Sequence, residues 1–348
     1  MFKYCFIFVI LAGSVFLSCS DEFEGPGVGP ECTLVWVSYR DGSPNLWGVE
    51  LPDGEVFKLS ELPEGAGRWG ISARRGWVYF SGKEYNCWNV YRVSLDGSSM
   101  QKLTEHTQFD GYPEISPDGS SVCFVTKRWG FTQYDSELAL ISSNGGELVR
   151  MTNHEGNDDS HRWSPDGTKI VFVKTDYYGK LSVALFNPDF PESVSIISPE
   201  GFDAYSPQWS ADGASLYYII SGSDRRYIAK SNVDSPILFP ENMSGNEYSV
   251  ENPEVSPNGV YIACQAFVNG QWEIAVIGSD GDNFKLIAPH PSEDICPCWS
   301  PDGSWIFWVS YRDGDREIYG ISFDEGGGPE RITSSPGDDI RPLCVGAF

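Results

Sequence analysis

The sequence predicts an all-β chain, a seven-bladed β-propeller of four-stranded antiparallel blades, its ring closed by pairing the C-terminal strand with an N-terminal three-stranded part-blade. Three observations predict it. A unit of about 45 residues recurs along the chain. Apolar residues fall into columns when the units are aligned, and one motif occurs near both ends with complementary parts missing.

Each unit begins with a short strand that runs into Ser-Pro-Asp-Gly. Clear copies are Pro113–Gly119, Arg162–Gly167 and Pro297–Gly303; variants are Trp209–Gly213, Val255–Gly259 and Ile71–Arg75. Two residues after the proline position stand Ile71, Ile115, Trp163, Trp209, Val255, Trp299 and Cys344. The second strand carries two alternating columns: Leu34, Val78, Val122, Ile170, Leu216, Ile262 and Ile306, then Trp36, Phe80, Phe124, Phe172, Tyr218, Cys264 and Trp308. The third strand is marked by Leu46, Val90, Leu138, Val183, Ile228, Ile274 and Ile318. The fourth is marked by Leu59, Leu103, Met151, Ile197, Met243, Ile287 and Ile332. Side chains packed between neighbouring blades must be apolar in this way.

Turn chemistry agrees, because Asp-Gly and Asn-Gly supply the positive φ of two-residue hairpins: Asp118-Gly119, Asp166-Gly167, Asp212-Gly213, Asn258-Gly259 and Asp302-Gly303 separate first from second strands. Six units are complete. A seventh is split: Val37–Gly42 repeats as Val309–Gly314 but lacks a first strand, which appears as Arg341–Val345. Such closure removes open edges.

The pattern Trp-Ser-Pro-Asp-Gly, then Tyr-Arg-Asp-Gly, Ile-Tyr and a closing Ile-Thr resembles the WD40-like repeat of TolB-type propellers, from Thr33 to Val345. The matching residues are structural, so the resemblance implies fold more than function. TolB carries a small α/β domain ahead of a six-bladed propeller; here only an acidic segment precedes the blades, and the resemblance therefore does not extend to TolB's partner-binding role.

Residues 1–18 read as a lipoprotein signal peptide, with Lys3 ahead of the apolar runs Phe6–Leu11 and Val15–Leu17. Phe16-Leu17-Ser18-Cys19 resembles a bacterial lipobox, which implies lipidation at Cys19 and a membrane anchor; an ordinary cleaved signal peptide is the alternative. Ser20 after the cysteine implies the outer membrane. Residues 19–31 form an acidic Gly/Pro tether, and 32–348 the propeller. The net charge of −25 and pI near 4.4 exclude a nucleic-acid partner. Outside the signal and Cys19, seven cysteines remain. An odd number cannot pair fully, Cys123, Cys264 and Cys344 fall at or beside core positions, and no disulfide is assigned.

Candidate chemistry is sparse. His106, His154 and His290 share one repeat phase and so one rim, either as ordinary pattern residues or as metal ligands. Oligogalacturonate lyases share this kind of propeller and hold a metal with clustered histidines and a glutamine; no such cluster is evident. Asp110, Asp158, Asp294 and Asp339, with Asp203 and Glu251 close by in phase, are expected to ring one mouth of the channel. They either offer a cation- or amine-binding mouth or cap their own loops by accepting backbone N–H groups. The second-to-third-strand loops of adjacent blades, Lys127–Ser136 and Lys174–Lys180, carry Trp129, Phe131, Tyr134, Tyr177 and Tyr178 as candidate contacts on the same face. No Gly-x-Ser-x-Gly elbow is present. The expectation is a monomeric, non-enzymatic bacterial envelope lipoprotein without cofactor, binding a protein or glycan at the loop face. The alternative is a metal-assisted polysaccharide lyase or hydrolase of the oligogalacturonate-lyase type.

Overall fold

The computed structural model describes residues 29–129, 135–235, 241–245, 247–323 and 327–346. Among them every regular element is a strand, and the strands form seven four-stranded antiparallel sheets. Blade 3 shows the plan, running outward through Asp110–Ile115, Ser121–Thr126, Glu137–Ser142 and Leu148–Arg150. The first strands are innermost, each packing against the first strand of the next blade around the ring. They belong to blade 1 (Asp339–Gly346), blade 2 (Ala66–Arg74), blade 3, blade 4 (Asp158–Trp163), blade 5 (Asp203–Trp209), blade 6 (Ser249–Val255) and blade 7 (Asp294–Trp299).

Blade 1 closes as the split motif requires: Asp339–Gly346 lies antiparallel to Cys32–Ser38, with Leu34 opposite Cys344 and Ser38 opposite Asp339. Both second-strand columns and the third-strand column are fully buried, and every member of the fourth is buried as well. The core accordingly divides into seven apolar clusters, each shared by two adjacent blades, from blades 1 and 2 (Val37, Leu46, Phe80) round to blades 7 and 1 (Phe307, Ile318, Trp36). The first-strand tryptophans add a polar stitch. Trp163, Trp209 and Trp299 donate their indole N–H groups to the carbonyls of Glu114, Arg162 and Glu254, each on the preceding blade.

Two expectations are corrected. The hairpin after the first strand is longer than two residues: Ser116 and Ser121 close it, only Gly119 takes positive φ (72°), and Asp118 instead accepts from Ser116 Oγ and Ser120 N. Those bonds hold the Asp118 carboxyl down at about 2. Second, Cys344 is not a free small hydrophobe but forms a disulfide with Cys32, 312 residues away, their Cα atoms 6.4 Å apart. Only ring closure sets these residues on neighbouring strands. Cys123 and Cys264 stay buried as free thiols.

A cross-link between the two ends restricts the unfolded chain severely. Replacing Cys32 and Cys344 together with serine is expected to lower stability by about 2–5 kcal/mol, read from urea unfolding; midpoints unchanged from the oxidised parent would show that the bond contributes nothing.

Candidate functional site: the channel mouth and its rim

First strands start, second strands end and third strands start on one rim, where the inter-blade connections also cross. Every inner strand there is irregular: in six blades two residues oppose one on the neighbouring strand, and in blade 2 residues 67–70 stand opposite Ser81 alone. Tyr112, Ser160, Ser206, Asn252, Cys296 and Arg341 occupy equivalent bulge positions with φ between 48° and 57°. In blade 2 the position is Gly70, whose added Cβ would lie 2.8 Å from the Tyr112 Cα. Left-handed backbone at side-chain-bearing residues is unfavourable, so the surrounding ring must hold it in place. Prolines at the next position, such as Pro113 and Pro297, fit a bulge where no ladder donor is needed.

The expected acidic mouth is constructed differently. Asp110, Asp158, Asp294 and Asp339 are fully buried. Asp110 accepts from Thr126 Oγ1 (2.7 Å) and from both Nε and Nη2 of Arg128. Asp294 takes Arg312 Nη2 at 2.9 Å, and Asp339 takes Arg40 Nη2 at 3.2 Å. The motif repeated at both chain ends explains these two pairs. Ser310 and Ser38 each accept from the Nε of the arginine two residues later, aiming it back at the carboxylate. Asp158 differs: its carboxylate has no arginine partner among the described residues and meets His154 Nδ1 at 3.1 Å. Asp203 is exposed and accepts Leu181 N from the adjacent blade, while Glu251 contacts Arg226 and Tyr205 Oη. Side-chain cations and hydroxyls, rather than the loops' own N–H groups, therefore satisfy most of these acids, because strand ends leave little free backbone to donate.

Burial pushes the Asp294 and Asp339 carboxyls up, against the lowering effects of their serine and arginine partners. Charges also meet across the channel. Arg162 of blade 4 lies 3.8 Å from Glu114 and acts on Glu254 of blade 6. Loss of water pushes Glu254 up to about 7, with Arg162 lowering it and Glu114 raising it.

Among the loop candidates, Tyr177 and Tyr178 are 80% and 90% exposed and meet edge to face at 5.5 Å. Trp129 is no open contact: its ring packs on the core of blades 2 and 3 beneath Arg150, 5.2 Å away. Phe131 and Tyr134, like Cys19, lie outside the described residues. The structure adds an unexpected aromatic group. Trp69 contacts Trp88, Phe109 and Tyr112 at centroid distances of 6.2, 6.3 and 5.9 Å, with Arg68 over its face. These half-buried rings converge from blades 2 and 3 beside the channel. Their phases in the repeat differ, so only packing brings them together. His161, also unforeseen as a site, replaces the bulge proline in blade 4; it is buried against the Cys123 carbonyl, and burial pushes its imidazole down to about 4.

Two outcomes test the electrostatics. Arg312→Ala leaves Asp294 buried without its cation and is expected to lose about 3–5 kcal/mol by urea unfolding; adding Asp294→Asn should recover part of the loss. For Glu254, the native state holds a proton more tightly than the unfolded chain, so stability falls as pH rises from the ordinary glutamate range through about 7. Glu254→Gln should therefore exceed the parent by roughly 1–3 kcal/mol at pH 8 and match it at pH 4; parallel pH profiles would contradict the assignment.

The chain is similar to known propellers over most of its length. The model of the TolB beta propeller domain matches residues 25–238 and 204–344. The Tol-Pal system protein TolB of Francisella tularensis is 26% identical over 254 residues, 71% of this chain and 56% of that protein. That of Desulfosudis oleivorans is 32% identical over 90 residues, 25% of this chain and 20% of that protein. The chain thus spans about half, or less, of the curated relatives it matches. In fold it resembles an oligogalacturonate lyase solved with manganese (TM-score 0.69, 14% identity, 84% of this chain and 86% of that one). It also resembles TolB from Acinetobacter baumannii (TM-score 0.60, 13% identity, 92% and 69%). With its repeats, its seven blades and a family match across nearly all of the described ring, the chain belongs to the TolB β-propeller (PD40) family.

Proposed function

We propose that this chain is a non-enzymatic scaffold of the bacterial cell envelope that binds a protein segment or glycan at the channel-mouth face. The observation that carries the reading is the half-buried group Trp69, Trp88, Phe109 and Tyr112 beside the bulged channel wall. Aromatic faces held in place by their neighbours offer stacking area to sugars or extended peptides with little ordering penalty. Arg68 and the exposed Tyr177 and Tyr178 extend the same face. An envelope location accords with the relatives named as Tol-Pal system proteins and with the lipobox-like Phe16–Cys19. In this reading, acyl chains on Cys19 anchor the protein to the outer membrane, residues 19–31 tether the ring, and the propeller acts as a monomer.

The lyase alternative receives support only in fold, from the neighbour solved with manganese. His106 and His290 favour the scaffold, because their Nδ1 atoms accept the N–H groups of Gln108 and Ser292, closing local turns.

The test compares the parent with Trp69→Ala and with Tyr177→Ala/Tyr178→Ala, each first shown to unfold at a comparable temperature. Envelope cross-linking and a glycan array are read side by side. A ligand retained by the parent and weakened roughly tenfold by either variant, about 1.4 kcal/mol, supports the mouth. Equal capture by all three proteins, or turnover of oligogalacturonate by the parent, overturns the proposal.

A further inference from the structure

Three inter-blade junctions have the same construction: His106 and Asp110 between blades 2 and 3, His154 and Asp158 between blades 3 and 4, and His290 and Asp294 between blades 6 and 7. In each, the histidine follows the fourth strand of one blade and the buried aspartate opens the next. The histidine N–H is accepted by the residue that opens, or lies near the start of, the preceding third strand: Asn89, Glu137 or Glu273.

At two junctions the buried aspartate is neutralised by an arginine two residues beyond the second strand's hydroxyl, Thr126 then Arg128, or Ser310 then Arg312. At the third, that arginine is absent from the sequence. Lys174 stands opposite Asp158 in the ladder, and the residue two later is Asp176, which instead accepts Tyr178 N and Lys180 N in its own turn. Lys174 makes no ion pair with Asp158 among the described residues. The histidine changes role with it. His106 and His290 use Nδ1 to accept a backbone N–H, whereas His154 Nδ1 points at Asp158 Oδ2, 3.1 Å away.

Glu137 completes the group. Ligand atoms of Glu137, His154 and Asp158 all lie within 4.8 Å of one another. Glu137 and Asp158 are 1% and 0% exposed, and Asp158 Oδ1 is buried without a hydrogen-bond partner. Arg150, 2.9 Å from Glu137, offsets one carboxylate. Among the described residues no arginine or lysine pairs with Asp158 as Arg128 and Arg312 pair with its counterparts, a costly arrangement for a buried carboxylate unless something cationic answers it.

We propose that the Glu137–His154–Asp158 junction binds one first-row divalent cation, which supplies the positive charge that Arg128 and Arg312 supply at the equivalent junctions. Two carboxylate oxygens and one imidazole nitrogen suit Zn²⁺ or Mn²⁺ better than a soft metal. His154 is partly exposed and opens the route from solvent. The ion would brace blade 3 against blade 4. It is independent of the mouth's aromatic ligand, and either could fail without the other.

The test uses the untagged mature protein, stripped with chelator and titrated calorimetrically with Zn²⁺ and then Mn²⁺, with ion content measured after dialysis. The expected result is one ion per chain, a higher unfolding temperature with metal, and at least roughly tenfold weaker binding in His154→Ala and Asp158→Asn. His106→Ala, at an arginine-filled junction, should bind as the parent does. Should Asp158→Asn fail to fold, His154→Gln gives the same reading. The absence of saturable binding by the folded parent, or equal binding by the His154 variant and the parent, would overturn the site.

Discussion

The antiparallel pairing of Asp339–Gly346 with Cys32–Ser38 is the constraint on which the rest of the molecule depends. Each apolar cluster is shared between two blades, so no blade buries both faces unless it has a neighbour on each side. An open ring would expose the matching faces of its two end blades, and it would leave unpaired strand edges there. Asp339–Gly346 therefore completes the blade that Cys32–Ser38 begins. The disulfide from Cys32 to Cys344 fastens this pairing at its outer margin, while Arg40 and Asp339 hold the opposite end of the same two strands.

Closure also explains the rim. Seven inner strands converging on one axis cannot all keep a regular ladder, and each relieves the crowding with a bulge. Strand starts then bring carboxylates into the protein interior, where an unmatched charge is unfavourable. The chain answers with guanidinium groups from the adjoining hairpins at three of these carboxylates. What is left at the channel is mixed in character, with Arg162 set among Glu114 and Glu254, and aromatic on the side of blades 2 and 3.

Much of the fold was legible in the residues because burial between blades acts on alternate positions of every repeat. Leu34, Val78, Val122 and their equivalents do the same thing seven times, and a repeated constraint leaves a repeated trace. The candidate site was legible only in part. The phase of Asp110, Asp158, Asp294 and Asp339 placed them together on one rim, but their burial and partners depend on loop residues such as Arg128 whose path no periodicity describes. Trp129 stands out for its loop position, whereas packing lays its half-buried ring onto the core. Trp69, Trp88, Phe109 and Tyr112 share no column, and the packing of blade 2 on blade 3 gathers them.

By itself, the sequence determined the blade count, the strand order, the split blade and the identity of the interior columns, since each follows from local periodicity and turn chemistry. Only the tertiary structure decided which cysteines pair, which carboxylates find an arginine and which is left with a histidine, and which aromatics gather at the mouth. The Cys32–Cys344 and Arg40–Asp339 pairs exist only once the ring has closed, and the others depend on loop paths and blade-to-blade packing that periodicity does not record.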